Sequence, residues 1–223
     1  MGRSTTAERA TILHNLAIVE NQLNDFTAAR RHFREAEKML LAAGESRNAV
    51  KIATNLAVIA AKLGEVEEAQ LELDRASRVL RRYPGPQIEF FFTYSQGLVA
   101  LLSGKAEAAA ASIERSLSMG RKLGDIHLVR FGEIYLAEAL LFCGRYQKAR
   151  RLLRATARAA AALKQPLLSR MAHARLQLVE ARQAAAQIER EPAQELEGRL
   201  RVTGLAGLRR RDRRSQERGG RHH

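Results

Sequence analysis

The stretch NLAVIAAKLGEVEEAQLELDRASRVL, Asn55 to Leu80, decides the fold. Its apolar residues recur at helical spacing on both sides of one break. Leu56, Ile59, Ala60 and Leu63 precede it, and Val66, Ala69, Leu73, Ala76 and Leu80 follow it. A period near 3.6 gives each half one apolar face. The break is Gly64-Glu65, and a glycine accepts the left-handed backbone of a helix end without a Cβ penalty. The stretch therefore reads as two amphipathic helices folded back on each other.

Outward from this stretch the same pattern returns every 40 residues. Ala17, Ala57, Gly97 and Ala137 hold one position, and Asn24, Gly64, Gly104 and Gly144 a second. Ala29, Ala69, Ala109 and Ala149 hold a third, followed in register by Phe33, Leu73, Ile113 and Leu153, then by Ala36, Ala76, Ser116 and Thr156. Self-similarity at a period of 20–50 residues is the signature of a stacked solenoid. The expected helix pairs are 7–23 with 26–42, 47–63 with 66–82, 86–103 with 106–122, and 126–143 with 146–163, giving repeats at about 7–42, 47–82, 86–122 and 126–163. Pro86 suits the first turn of its helix, where a missing N–H costs nothing. Residues 166–190 carry one more amphipathic helix through Leu167, Met171, Ala174, Leu178 and Ala181. Position 184 is Ala where the register asks for Gly, so this last helix reads as the cap of the final apolar face. The helix at 7–23 begins almost at Met1 and has no comparable cover. It is expected to continue a larger chain, to pack on a partner, or to self-associate.

Composition agrees with an all-α reading. Hydrophobic residues make up 46% of the 223, aromatics 5%, and there is no Trp and only four Pro. Strands favour branched and aromatic side chains, whereas this chain is rich in Ala and Leu. One cysteine, Cys143, rules out an internal disulfide and a multi-cysteine metal site, and its place beside Gly144 marks it as a small core residue. No apolar leader and no run of 18 apolar residues occurs, so a cytoplasmic location is expected.

The net charge of +14 is unevenly spread. Residues 1–138 hold 18 basic and 17 acidic side chains, and residues 139–223 hold 20 and 7. From Ala139 to Val179 there is no acid, and Arg150, Arg151, Arg154 and Arg158 form a basic patch on one predicted helix. Residues 199–223, RLRVTGLAGLRRRDRRSQERGGRHH, add nine Arg, with Arg209, Arg210 and Arg211 in a run, and no aromatic. Such a stretch cannot bury enough surface to offset its ordering entropy, so a disordered tail is expected there. The asymmetry suits an acidic partner or sequence-independent contact with nucleic acid or another anionic surface. Base stacking is not on offer, because no aromatic follows Tyr146.

These residues resemble a tetratricopeptide repeat. The segments Asn15–Leu40 and Asn55–Leu80 carry the family's small residue at the helix crossing, its turn glycine (Asn24 in the first unit), and its second-helix alanine. The aromatic after the turn survives as Phe26 and Tyr146 but is Val66 and Ala106 elsewhere, and the Pro that ends the common 34-residue unit is missing. The 40-residue length is similar to the long-helix variant found in kinesin light chains and in sensor regions of bacterial regulators. Over about residues 5–190 the resemblance implies an all-α, right-handed α-solenoid of antiparallel helix pairs, four repeats plus a capping helix. It also implies a concave wall of first helices that holds a protein or peptide partner, and no cofactor.

On that geometry the wall is polar in its first half and apolar in its second. Thr11, His14, Asn15, Asn21, Lys51, Thr54, Asn55 and Lys62 lie in repeats one and two; Phe91, Tyr94, Leu98, Leu101, Phe131, Ile134, Tyr135 and Phe142 lie in repeats three and four. Asn15 and Asn55 can donate to and accept from a peptide backbone. The aromatics suit apolar anchors of a partner helix. Of Phe90, Phe91 and Phe92, at least one must turn into the core, since helical neighbours diverge by about 100°. The lysine, asparagine and arginine clamp by which some members hold a terminal carboxylate is matched by Asn55 alone; His14, Ile18, Phe91 and Ser95 stand at its other positions.

Catalysis finds no support in the pattern. His14, His32, His127 and His173 fall on different predicted helices, and no metal-ligand, phosphate-loop or nucleophile-elbow spacing appears. The expectation is a binding module: a scaffold or sensor in bacterial signalling that takes a peptide or helix in its groove. The alternative is a basic adaptor that binds nucleic acid through its C-terminal region.

Overall fold

The computed structural model of this protein describes residues 5–190. All regular structure among them is helical: α1 Thr6–Gln22, α2 Phe26–Ala42, α3 Ser46–Lys62, α4 Val66–Arg82, α5 Pro86–Leu102, α6 Ala106–Lys122, α7 Ile126–Phe142, α8 Tyr146–Ala162 and α9 Pro166–Arg190. The fold is an all-α, right-handed solenoid of antiparallel helix pairs. One compact unit runs to Leu176 and holds α1 to α8 with the start of α9; the remainder of α9, from Gln177, belongs to a second unit. None of the described helices is long and apolar enough to cross a membrane. Arg209, Arg210, Arg211 and the rest of the segment 199–223 lie outside the described residues.

The turns reveal a finer period than the sequence pattern suggests. Helices begin every 20 residues, at Thr6, Phe26, Ser46 and so on to Pro166. Residues at positive φ close seven of the eight, namely Asn24, Gly44, Gly64, Gly104, Gly124, Gly144 and Lys164. The next residue's amide then reaches back over the turn: Glu65 N to Ala60 O at 2.9 Å, Lys105 N to Ala100 O at 2.8 Å, Arg145 N to Leu140 O at 2.8 Å. Turns between repeats do the same, with Glu45 N on Leu40 O at 2.8 Å and Gln165 N on Ala160 O at 2.9 Å. This left-handed closure satisfies the orphan carbonyls of the helix end. Only between α4 and α5 does Pro84-Gly85 replace it, with Pro86 opening α5. Asp25 and Asp125 cap the following helices by accepting from Ala28 N and Leu128 N, each at 3.0 Å.

The 40-residue register marks where paired helices cross. Ala17, Ala57 and Ala137 are fully buried there, as are the opposing Ala29, Ala69 and Ala149. Small residues let the backbones approach, and Phe33, Ile113 and Leu153 fill the space beside them, also fully buried. Charged residues lock the second helices to each other. Glu37 and Glu72 are buried between α2 and α4, where Arg75 donates to Glu37 Oε1 and Glu72 Oε2, both at 3.0 Å. Arg34 binds Glu37, Glu68 and Glu72 from the other side. Further along, the buried Glu133 of α7 accepts from Arg130 at 2.9 Å, Arg121 at 3.4 Å and Thr156 Oγ1 at 2.9 Å. A buried carboxylate costs several kcal/mol unless it is paired in this way.

Candidate functional site: the first-helix wall

The first helices α1, α3, α5 and α7 stand side by side, and their contacts trace a continuous wall. At the end nearest α1, Lys62 Nζ donates to Asn21 Oδ1 at 2.9 Å and lies 5.0 Å from the Phe26 ring centroid. His14 lies under the field of Lys51, and its edge meets the Phe33 ring at 5.5 Å. Burial first, and then the Lys51 charge, hold the His14 imidazole below the usual histidine range. The Lys51 ammonium sits 5.0 Å from the centroid of Phe91, the residue one repeat later in the same register. A cation over a ring face in this range is attracted by the ring quadrupole.

From Phe91 the wall becomes aromatic. Phe91 meets Phe90 edge-on at 5.3 Å, and Phe90 stacks on Tyr94 at 6.1 Å. Tyr94 meets Tyr135 of α7 at 6.3 Å, and Tyr135 meets Phe131 at 5.4 Å, both edge-to-face. Beyond Tyr135, Glu138 accepts from Arg175 Nε of α9 at 3.1 Å. Phe91 and Tyr135 are half-buried, and Phe131 is exposed. Tyr94 shows part of its ring, but its hydroxyl is enclosed and has no hydrogen-bond partner. Burial, with Tyr135 as the second cause, pushes its phenol well above the ordinary range.

The predicted wall residues separate by register. Positions 11, 51, 91 and 131 reach the surface: Thr11 and Phe131 are exposed, Lys51 and Phe91 half-buried. Asn15 is exposed and Asn55 half-buried, both open to a ligand, whereas Ser95 in the same register is buried. Positions 14, 54, 94 and 134 turn inward between the helices. Thr54 and Ile134 are therefore corrected from wall to core: Thr54 Oγ1 donates to Lys51 O at 2.9 Å, and Ile134 is almost fully buried. Leu98 is half-buried and leans on the apolar cluster of α3, α4 and α5. Phe90 and Phe92 both go to the core, leaving Phe91 alone on the wall. Lys62 is exposed by residue area, yet burial of its stem lowers its ammonium below the usual lysine range. Among the described residues, neither Lys51 nor Lys62 has a carboxylate at ion-pair distance.

The basic patch lies elsewhere, on α8. Arg151, Arg154 and Arg158 are exposed, and the half-buried Arg150 donates to Gln147 Oε1 at 2.8 Å. Arg154, Arg158 and His173 edge a shallow depression floored by Ala157, Ala161 and Leu176. His173 is turned by a 2.8 Å hydrogen bond between its Nδ1 and Ser169 O. Cys143 is half-buried at the end of α7, and burial together with Glu107 raises its thiol. Among the described residues, no group of three or more His, Cys, Asp or Glu is placed to hold a metal ion.

No protein-family model matches the chain, and no curated protein matches it. Solved structures do. A Signal Transduction ATPase with Numerous Domains protein from Pyrococcus horikoshii, with a tetratricopeptide repeat sensor, superposes on 88% of this chain with a TM-score of 0.64 at 18% identity. This chain spans 31% of that protein. A putative kinesin light chain of Podosopora anserina with nearly identical TPR-like repeats matches 86% of this chain and 100% of its own, with a TM-score of 0.54 at 15% identity. BtubC from P. vanneervenii matches 74% of this chain and 68% of its own, with a TM-score of 0.54 at 20% identity. The likeness is one of fold: this chain has the paired-helix repeat architecture of tetratricopeptide proteins.

Proposed function

We propose that this chain is a non-catalytic interaction module, a scaffold or sensor, that holds a peptide or partner helix against the wall of its first helices. The residues that build it span about 5–190. The observation that carries this reading is the aromatic strip Phe91–Phe90–Tyr94–Tyr135–Phe131, kept in ring-to-ring contact across α5 and α7 while Phe91, Tyr135 and Phe131 reach solvent. Packed aromatics that remain open are the residue types that dominate binding energy at interfaces. Lys51 and Lys62 on the preceding stretch of wall favour an occupant that pairs an apolar anchor with acidic groups. The sensor role is an analogy with the repeat region of the signal transduction ATPase and rests on shared architecture alone.

A second reading takes the basic face of α8 as the working surface, because Arg154, Arg158 and His173 converge on one depression. One experiment separates the two. Full-length protein and a Phe131→Asp variant are used for affinity capture from lysate, each with and without nuclease. The groove reading expects a defined protein retained by wild type, indifferent to nuclease and lost with Phe131→Asp. Capture that survives Phe131→Asp but disappears with nuclease, or weakens steeply with salt, moves the function to the Arg face.

A further inference from the structure

One stripe on each first helix faces the wall, at positions i, i+4, i+7 and i+11, which fall within about 60° of arc. On α3, α5 and α7 the ends of this stripe reach solvent more than its middle. At one end Lys51 and Phe91 are half-buried and Phe131 is exposed. At the other end Lys62, Leu102 and Phe142 are all exposed, the last two at 46 and 61%. Between these ends Ser95 and Val58 are only 5 and 8% exposed, and Asn55 and Leu98 are half-buried. The wall is therefore a trough that crosses three helices, floored by the middle positions and edged by two rims. Both rims repeat one order of chemistry: an ammonium on α3, an apolar side chain on α5 and a phenyl ring on α7.

Charge selects the chemistry of the occupant. The carboxylate on these stripes is Glu138, and it accepts from Arg175 Nε at 3.1 Å. Among the described residues neither lysine has a carboxylate at ion-pair distance, so the acidic groups must come from the occupant. Width selects its form. The rims are 11 residues apart, about 16 Å along the helices, and an α-helix with its side chains is about 10–12 Å across. An extended chain takes about 5 Å in that direction and leaves one rim unused. We propose that the occupant is an α-helix of a partner protein lying across α3, α5 and α7, with acidic side chains on both flanks at one end and apolar ones on both flanks at the other. This deepens the groove function and rests on it. Packed helix axes lie about 8–10 Å apart, so α3 and α7 are separated by about 16–20 Å. At about 1.5 Å per residue, a helix places its acids about 11–13 residues from its apolar anchors. An extended chain covers the same span in about 5–6 residues.

Selection of displayed random peptides on the full chain tests this, using peptides of about 20 residues, long enough for a helix of about 30 Å. Lys51→Glu and Phe131→Asp alter one rim, and Lys62→Glu and Phe142→Asp the other. All four side chains are exposed or half-buried, so the variants keep the wild-type circular dichroism. Enriched peptides are expected to carry acids and apolar anchors about 11–13 residues apart and to gain helicity on binding. They should lose affinity when a central residue becomes Pro, and bind variants of either rim about 10-fold or more weakly. Acids and anchors about 5–6 residues apart, tolerance of a central Pro, or dependence on one rim alone overturns the helix and leaves the groove in place. Peptides indifferent to all four variants, or no enrichment at all, overturn the groove function and the helix with it.

Discussion

Gly97 is the one position of the helix-crossing register that is not alanine, and replacing it with alanine tests whether close helix approach sets this architecture. A Cβ built on Gly97 would lie 2.5 Å from Ile113 Cγ1, 3.1 Å from Ile113 N and 3.3 Å from Ala109 O. The first contact is about 1 Å short of ordinary van der Waals separation, and Ile113 is fully buried, with no exit to solvent. The other two atoms belong to the backbone of α6, so relief requires α5 and α6 to separate. Overpacking of this kind costs about 1–3 kcal/mol. Alanine returns about 0.8–1 kcal/mol over glycine through helix propensity. Gly97→Ala is therefore expected to destabilise by up to about 2 kcal/mol, read as a fall of up to about 4–8 °C in Tm for a domain of this size. The double-mutant cycle with Ile113→Ala isolates the cause, because the truncated side chain removes the worst contact and should return about half of the loss. A Tm above wild type for Gly97→Ala, or the same cost in both backgrounds, would refute the close-approach argument.

Other expectations follow from buried polar groups. Tyr94→Phe deletes an enclosed hydroxyl that has no partner, and should be neutral or stabilising by about 1 kcal/mol in thermal melts. It should also remove an alkaline instability. The folded phenol holds its proton above the ordinary tyrosine range, so the unfolded chain loses protons first and stability falls as pH rises past that range. His14 gives the opposite window. Its folded imidazole is depressed, so the unfolded chain binds more protons just below the usual histidine range. Stability should therefore drop as pH falls through that interval, and His14→Asn should flatten the profile in urea titrations at successive pH values. Glu133→Ala removes the acceptor shared by Arg130 and Thr156 and should cost about 2 kcal/mol, since the partly exposed arginines can turn to water. An unchanged urea midpoint would show that this network adds nothing.

Much of the fold could be read from small residues at fixed spacing. Ala17, Ala57 and Ala137 sit where backbones cross, and steric demand at a crossing leaves a trace in the sequence because few residue types satisfy it. Gly44 and Gly124 were as legible but lie half a period from the register followed, so the shared geometry of the two turn classes emerged only from the backbone. Wall residues are harder to read. Neighbours on a helix diverge by about 100°, and a tilt of a fraction of that angle moves position 134 from wall to core. Ile134 and Thr54 fell on the buried side of that margin. Glu37, Glu72 and Glu133 were illegible for another reason. Glutamate is almost always solvated, and only tertiary structure shows that arginines from neighbouring helices converge on these three.

The repeats divide their positions between architecture and recognition. Crossing positions hold Ala, Ala, Gly and Ala, and the turn between paired helices holds Asn, Gly, Gly and Gly. Each choice answers a constraint that recurs in every unit. Surface positions of the wall do the reverse: Thr11, Lys51, Phe91 and Phe131 share one register, and Asn15, Asn55 and Tyr135 share another, in which only Ser95 is buried. If the wall were only solvated surface, polar residues would serve equally well in all four repeats, and exposed rings would cost solubility without return. Instead the chemistry grades from amide and ammonium groups to phenyl and phenol rings, and Lys51 meets Phe91 where the two halves join, at 5.0 Å. On the function proposed above, a graded wall on a uniform scaffold would fix the direction in which an occupant lies. That reading places an occupant's acidic part beside α3 and its apolar anchor beside α7. Reversing that order in a designed peptide should abolish binding, while an equal number of charges and anchors in the favoured order should keep it.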